Sequence, residues 1–410
     1  MKILYINHYA GSPRYGMEYR PYYLAREWVG SGHEVTIVAA SFSHLRREQP
    51  SIEGDCTEEN IDGVRYRWLK TPAYAGNGPR RVRNMVSFLD ALKRMAYRMA
   101  DERFDVVIAS STYPFDNGIA HLLARRWNAT HIYEIHDLWP LSPIELGGYS
   151  RLHPAIMLTQ LSENKAYRWA DAVVSLLPAA EPYMRSHGLA GGKFHFVPNG
   201  IAVEEWNEDS SKLPRGIGRT LDEWADGRFL VCYAGAHGLA NSLDSFVIAA
   251  AEVPDAGFVL VGQGPEKERL KLAAMGLANV RFLDAVPKEA IPALLARMDA
   301  LYIGLQRQSL FRFGISPNKL MDYLMAAKPV ICAIEAGNDM VGEAGCGYTI
   351  MPESPSEIAG TVRRLMALDP VERKIMGDNG RRYVLERHDY RVLAADFLEI
   401  MGKAIKEKRS

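Results

Sequence analysis

Lys319 and Asp322 stand three positions apart in GISPNKLMDYLMAAKPV, residues 314–330, and are the side chains of this sequence best suited to chemistry. The segment reads as a loop breaking into a helix. Ser316 suits the N-cap and Pro317 the first helical position. The free N–H groups there, at the positive end of the helix dipole, form an anion site together with Asn318. Lys319 adds a full charge for a phosphate. Asp322 falls four residues after Asn318, on the same helix face, and can accept hydrogen bonds from sugar hydroxyls. A diphosphate beside a ribose is what a nucleotide-sugar presents. An ordinary capped helix packing through Leu320, Tyr323 and Leu324 would show the same pattern.

Four other stretches carry polar groups where chemistry is expected. His136 and Asp137, in YEIHDLWP, follow an apolar run directly, at the carboxyl end of a predicted strand. A His there can donate to a sugar hydroxyl, with Asp137 orienting it or contacting acceptor. HYAGSPRYGMEYR (8–20) places Gly11 and Gly16 after the first predicted strand, with Glu18 and Arg20 as acceptor contacts or a surface ion pair. It is not GxGxxG, so the dinucleotide fingerprint is absent. YAGAHGLAN (233–241) and VGQGPEKERL (261–270) both read as strand, glycine loop, helix. Gly235, Gly238, Gly262 and Gly264 would admit a diphosphate near a helix start. Base recognition is expected through backbone around Asp284 to Val286. No Asp-x-Asp motif is present to hold a magnesium ion on a diphosphate.

Residues 78–99 interleave Arg80, Arg81, Arg83, Lys93, Arg94 and Arg98 with apolar positions. A basic amphipathic helix of this kind reads as a membrane-surface element, or as a domain helix with a solvated basic face.

These groups must be positioned by a fold, and composition limits the choice. The 410 residues suit two domains, and 48% apolar content fills two cores. Forty-nine basic residues balance 49 acidic ones, which argues against a dedicated nucleic-acid binder. The four cysteines have no metal-ligand spacing, and buried thiols in a reducing cytoplasm are expected. No apolar run reaches the length of a membrane span, about 18 residues.

Strand-like and helix-like segments alternate, which predicts parallel sheets covered by helices. Strands are expected at 3–7, 34–40, 64–68, 106–110, 132–135, 171–175 and 195–197. After a loop-rich stretch at 198–226 they resume at 229–234, 257–261, 280–283, 300–304 and 329–333. From 354 onward the chain reads as helical. The expected architecture is two doubly wound domains facing a cleft, with ligands outside the carboxyl ends of the strands.

The motifs NHYAGSPRYGMEYRPYYLA, EIHDLWP, PNG, VGQGPEKERL and GISPNKLMDYLMAAKPVI run through nearly the whole chain. On them it resembles retaining glycosyltransferases of the GT-B fold, in glycosyltransferase family 4. Within that family it is most similar to bacterial surface-polysaccharide transferases of the WbuB aminosugar type.

The resemblance implies an α/β GT-B fold. Residues 1–199, with 390–410 packing back, would form a Rossmann-like acceptor-binding domain. Residues 200–389 would form a Rossmann-like domain binding the nucleotide-sugar. It implies a metal-independent, hexosyltransferase-type enzyme with no cofactor and a UDP-, GDP- or ADP-sugar donor, UDP foremost. His136 would lie near the donor sugar and Asp322 on the ribose, with His136, Lys319 and Asp322 as the catalytic set. The acceptor would be a saccharide, polyprenyl-diphosphate-linked, in lipopolysaccharide O-antigen synthesis at the cytoplasmic face of the inner membrane.

Two departures stand out. The family's pair of glutamates, eight positions apart, falls on Gly314 and Asp322, so amides of Ile315 to Asn318 would replace the first. An Arg and a Lys usual after the first strand of the second domain are replaced by His237 and Asn241. Rival readings are a sugar-nucleotide epimerase of the same fold and a non-catalytic subunit of a polysaccharide assembly complex.

Overall fold

The structure, a computed structural model, describes residues 1–76, 78–99 and 101–409. It divides into two compact units, Met1–Pro198 with Tyr390–Ser410, and Asn199–Asp389. In chain order the first unit contains β1 (Lys2–Ile6), α1 (Arg20–Gly30), β2 (Glu34–Ala40), β3 (Cys56–Ile61), β4 (Val64–Leu69), α2 (Pro79–Arg98) and β5 (Val106–Ala109). It continues with α3 (Asn117–Trp127), β6 (Thr130–Ile135), α4 (Leu141–Glu145), α5 (Pro154–Trp169), β7 (Ala172–Ser175), α6 (Glu181–Ser186) and β8 (Phe194–Phe196). The second begins with α7 (Ile217–Ala225), β9 (Phe229–Ala234), α8 (Leu243–Glu252), β10 (Ala256–Val261), α9 (Lys267–Ala273), β11 (Val280–Leu283) and α10 (Ile291–Ala296). There follow β12 (Ala300–Gly304), α11 (Asn318–Met325), β13 (Val330–Ala333), α12 (Met340–Ala344), β14 (Gly347–Thr349), α13 (Pro355–Ala367) and α14 (Pro370–Arg387). The last helix, α15 (Tyr390–Arg409), belongs to the first unit.

The first sheet has the order β3-β4-β2-β1-β5-β6-β7-β8. Its pairs are parallel except β3–β4. Strand runs such as VVIA in β5 are apolar throughout because both faces are covered. Right-handed crossovers fix which face each helix covers. The chain steps one way from β1 to β2, and the other way from β4 through β5 and β6 to β7. Hence α1 lies on one face, and α2, α3 and α5 on the opposite one. α15 joins α1: Tyr23 stacks on Tyr390 at 4.9 Å, and Trp28 Nε1 donates to the Ala394 carbonyl at 3.0 Å.

The second sheet is wholly parallel, in the order β11-β10-β9-β12-β13-β14. A separate apolar cluster fills each of its faces. The carboxyl ends of β9, β10, β11 and β12 meet the loops that carry the second unit's candidate residues.

Three elements depart from expectation. β3 is polar and paired antiparallel to β4 through a turn at Asp62 and Gly63, both at positive φ. The Asp-Gly pair is its sequence signal. β14 is only three residues long. The stretch expected as loop at 198–226 contains α7, which covers the core with Leu221.

Candidate active site

The cation of the second unit is held before any ligand arrives. Lys319 Nζ donates to Tyr233 Oη at 2.7 Å and to Asn241 Oδ1 at 2.8 Å, and lies 4.6 Å from the Tyr233 ring centroid. Both partners are neutral. Among the described residues no carboxylate pairs with it, and burial alone lowers its pKa to about 8. Asp322, one turn along α11, is half-buried; burial raises its carboxyl to about 6, with Lys288 opposing.

The helix start sits one residue later than expected. α11 begins at Asn318, with Pro317 as its N-cap and no side-chain cap. The Ser316 hydroxyl instead accepts from the Asn199 amide at 2.8 Å, while Asn199 Nδ2 donates to the Ser316 carbonyl at 2.8 Å. The amides expected to replace the missing glutamate are also fewer. Ile315 N donates to Asn338 Oδ1 at 2.8 Å, and Pro317 has no N–H. Ser316 and Asn318 retain theirs, and the first turn of a helix leaves its amides without intrahelical partners. Asn338 and Asn199 thus fix the loop from two sides. Tyr323 ties α11 to β9, its hydroxyl accepting from Ala234 N at 2.8 Å.

Gly314 adopts φ 101° and ψ 171°, a region open essentially to glycine alone. A glutamate cannot occupy this backbone without strain, so the departure from the family pair is built into the conformation.

The glycines of the flanking loops serve the protein's own packing more than an open approach. A Cβ on Gly262 would fall 1.9 Å from the Gly235 carbonyl oxygen, and one on Gly264 2.3 Å from that of His237. A Cβ on Gly235 would meet Lys319 Nζ at 3.1 Å; Gly238 meets nothing nearer than 3.7 Å. A 3-10 turn, Leu239–Asn241, separates Gly238 from α8, so this loop does not open into a helix directly. His237 is fully buried, with both ring nitrogens unpartnered among the described residues. Burial, then Lys267 and Lys319, lower its pKa to about 4, so it brings no charge at neutral pH. Buried Lys267 clamps the base-loop candidates: Nζ donates to the Gly262 carbonyl at 2.8 Å, the Leu283 carbonyl at 3.1 Å and Asp284 Oδ1 at 2.8 Å. Val286 packs against the core.

In the first unit, His136 emerges from β6 with Nε2 2.9 Å from Ser110 Oγ and 3.4 Å from Glu134 Oε2. Burial opposes its charged form, but the Glu134 hydrogen bond and charge, with Glu18 adding, raise its pKa overall. Glu134 is wholly buried and accepts from Tyr5, from Ser110 Oγ at 2.6 Å and from Arg20 Nε at 3.0 Å. Burial pushes its carboxyl up, yet Arg20 and the hydrogen bonds hold it well below the usual range.

Two expectations fail here. Arg20 is neither an acceptor contact nor half of a surface pair: it is 1% exposed, and its remaining donors reach the Val197 and Pro198 carbonyls. Asp137 is exposed and does not orient His136; Ser110 and Glu134 do that. Glu18 is half-buried, in a loop closed by Gly11 N donating to its carbonyl at 2.8 Å. A Cβ on Gly11 would fall 1.9 Å from the Gly16 carbonyl oxygen, and Gly16 sits at φ +106°.

Comparison with known families now bears on both units. Residues 15–200 match the family described as "Glycosyl transferase 4-like domain", and residues 227–367 match "Glycosyl transferases group 1". The chain is a GT-B glycosyltransferase. Among solved structures, this glycosyltransferase is similar to sucrose-phosphate synthase from Thermosynechococcus elongatus, at 16% identity and TM-score 0.72, covering 99% of each chain. Anabaena HepE in complex with UDP-glucose matches at 14% identity and TM-score 0.66, over 98% of this chain and 100% of that one. An E. coli structure described as trehalose-6-phosphate bound with UDP-2-fluoro glucose matches at 12% identity and TM-score 0.69, over 98% and 99%. At these identities the likeness concerns the fold. No curated protein matches the sequence significantly.

Glu134, Ser110, Asn338 and Lys267 escaped the sequence reading. Glu134 lies two residues before His136, on the same face of β6, and that period-2 spacing was its one signal. Asn338 and Lys267 act on backbone of distant segments, which no local spacing announces. Among the described residues no cluster of His, Cys, Asp or Glu is placed to hold a metal ion, and no helix is long and apolar enough to cross a membrane.

Proposed function

We propose that this glycosyltransferase moves a sugar from a nucleotide-diphosphate donor, UDP foremost, to an acceptor hydroxyl with retention of anomeric configuration. One observation carries the reading: among the described residues Lys319 is a half-buried ammonium with only neutral partners. Taking a charge out of water without a counter-charge is costly, and an arriving diphosphate would supply one. The HepE and E. coli structures, solved with UDP-glucose and UDP-2-fluoro glucose, support this choice.

In the proposed step the bond from the anomeric carbon to the diphosphate oxygen breaks, its electron pair leaving with the diphosphate. The acceptor oxygen bonds to that carbon on the same face, and its proton passes to the departing diphosphate oxygen. Lys319 and the amides of Ser316 and Asn318 stabilise the leaving charge without a metal. Asp322 holds the ribose hydroxyls, and the 284–286 loop, clamped by Lys267, receives the base. His136 serves the donor sugar through Nδ1, since Ser110 and Glu134 engage Nε2. Residues 1–199 with 390–410 take the acceptor role, and 200–389 the donor role.

The finer reading follows the sequence resemblance. The sugar is an aminosugar and the acceptor a polyprenyl-diphosphate-linked saccharide of surface polysaccharide synthesis. The enzyme works peripherally at the cytoplasmic face of the inner membrane. A thermal-shift series with UDP, GDP, ADP and their sugars tests the donor assignment. Stabilisation by one nucleotide family, lost in Lys319→Ala, is expected; no stabilisation by any of them would overturn it.

A further inference from the structure

We propose that the face of the first unit formed by α2, α3 and α5 docks on an anionic lipid bilayer, with the region around α5 entering the interface. The partner rests on the lipid-linked acceptor proposed above; the surface rests on its own observations.

Charge is the first. The chain is neutral overall, with 49 cations and 49 anions. Yet α2, α3 and α5 carry six, two and two Lys or Arg residues, ten in all, against two carboxylates, Asp90 and Glu163. Only one carboxylate of these helices offsets a cation of the face, and Asp55, just before β3, lies 3.8 Å from Arg98. Asp90 pairs with Arg94 of its own helix. Glu163 is buried, accepting from Tyr167, Tyr183 and Gln160.

Exposed apolar surface is the second. On α5, Leu158, Leu161, Lys165 and Arg168 are spaced to share one stripe, and all four are exposed. Leu158 and Leu161 are 59% and 58% exposed, and Leu152, just before the helix, 81%. α2 and α3 add exposed Val82, Val86 and Leu122. On the opposite face of the sheet, α1 and α15 expose no large apolar side chain among the described residues.

Leucines standing among cations are the composition of an interfacial element: aliphatic groups enter the acyl boundary while Lys and Arg meet anionic headgroups. A second copy of the chain would present the same cations and repel. A nucleic acid would satisfy the charge but leave the leucines in water.

Flotation of the full chain with phosphatidylglycerol-containing vesicles, against pure phosphatidylcholine vesicles, tests this. Binding to the anionic vesicles only, weakening with added salt, is expected. Leu158→Glu/Leu161→Glu should lower it at least about tenfold. Arg80→Gln/Arg83→Gln should lower it about fivefold per charge removed. Both variants should keep the thermal shift given by UDP-glucose, which reports a folded donor unit. Failure to float, equal flotation on neutral vesicles, or undiminished binding by Leu158→Glu/Leu161→Glu would overturn the proposal. So would a dimer in solution that this double variant dissociates. Absence of the UDP-glucose shift in the unmodified protein would count against the donor reading instead, and leave the flotation result to decide the docking face.

Discussion

The two units treat a buried charge in opposite ways. In the first, Arg20 and Glu134 are both out of water and complete one another, with Tyr5, Ser110 and two main-chain carbonyls taking the remaining donors and acceptors. In the second, Lys319 meets a phenol and an amide. The first arrangement is closed and holds β1, α1 and β6 in register; the second finds no carboxylate among the described residues. A charge fully satisfied by its own chain is architecture, and one left to neutral dipoles is a receptor.

Breaking the closed pair should give the largest effect. Arg20→Ala or Glu134→Ala strands a buried charge and should cost about 3–5 kcal/mol in urea unfolding. Glu134 also sets a pH signature. Its folded pKa lies below the unfolded one, so its contribution is present above the unfolded value and is lost as pH falls through the folded value.

The open cation should behave inversely. Lys319→Ala should lower the transfer rate about 10²–10³-fold, the scale of a lost leaving-charge donor, with stability held or raised. Loss of stability comparable to that of Arg20→Ala would erase the contrast. The folded pKa of about 8 lies below the ordinary lysine value. Stability should therefore rise as pH climbs from 8 toward that value, because the unfolded chain binds more protons there. Lys319→Met should remove this rise.

Backbone demands come next. Gly314→Glu, which restores the family residue, should destabilise by about 1–3 kcal/mol and not accelerate transfer, because φ 101° and ψ 171° exclude side chains. A faster variant would show that the loop rearranges freely. The smallest effect is a pH profile. With Asp322 near 6 and Lys319 near 8, kcat/KM should fall on both sides of that window. Asp322→Asn should remove the acid limb alone.

How much of this could be read from sequence follows from what each feature depends on. The strands around Lys319 and His136 were legible because apolar runs bounded by glycine and polar clusters are local. The pairing of Lys319 with Tyr233 and Asn241 was not, since those residues lie 86 and 78 positions away. Arg20 looks like a surface group for the same reason: its partner is 114 positions distant and nothing beside it is acidic but Glu18. Ser316 looked like a cap because its type and neighbours fit one; tertiary competition from Asn199 took its hydroxyl. The glycine loops were legible as loops, but not that their missing side chains make room for neighbouring main chain.

Affinity for UDP-glucose, measured by calorimetry from pH 6.5 to 9.5 on the unmodified chain and on Lys319→Ala, tests the central claim most directly. The diphosphate of UDP-glucose keeps a constant charge across that range, and the uracil N–H begins to ionise only at its upper end, equally for both proteins. The unmodified chain should bind progressively more weakly above about pH 8, and the variant should bind at least about tenfold more weakly at pH 7 with no such decline. Equal affinity in the two proteins, with the same pH dependence, would contradict it.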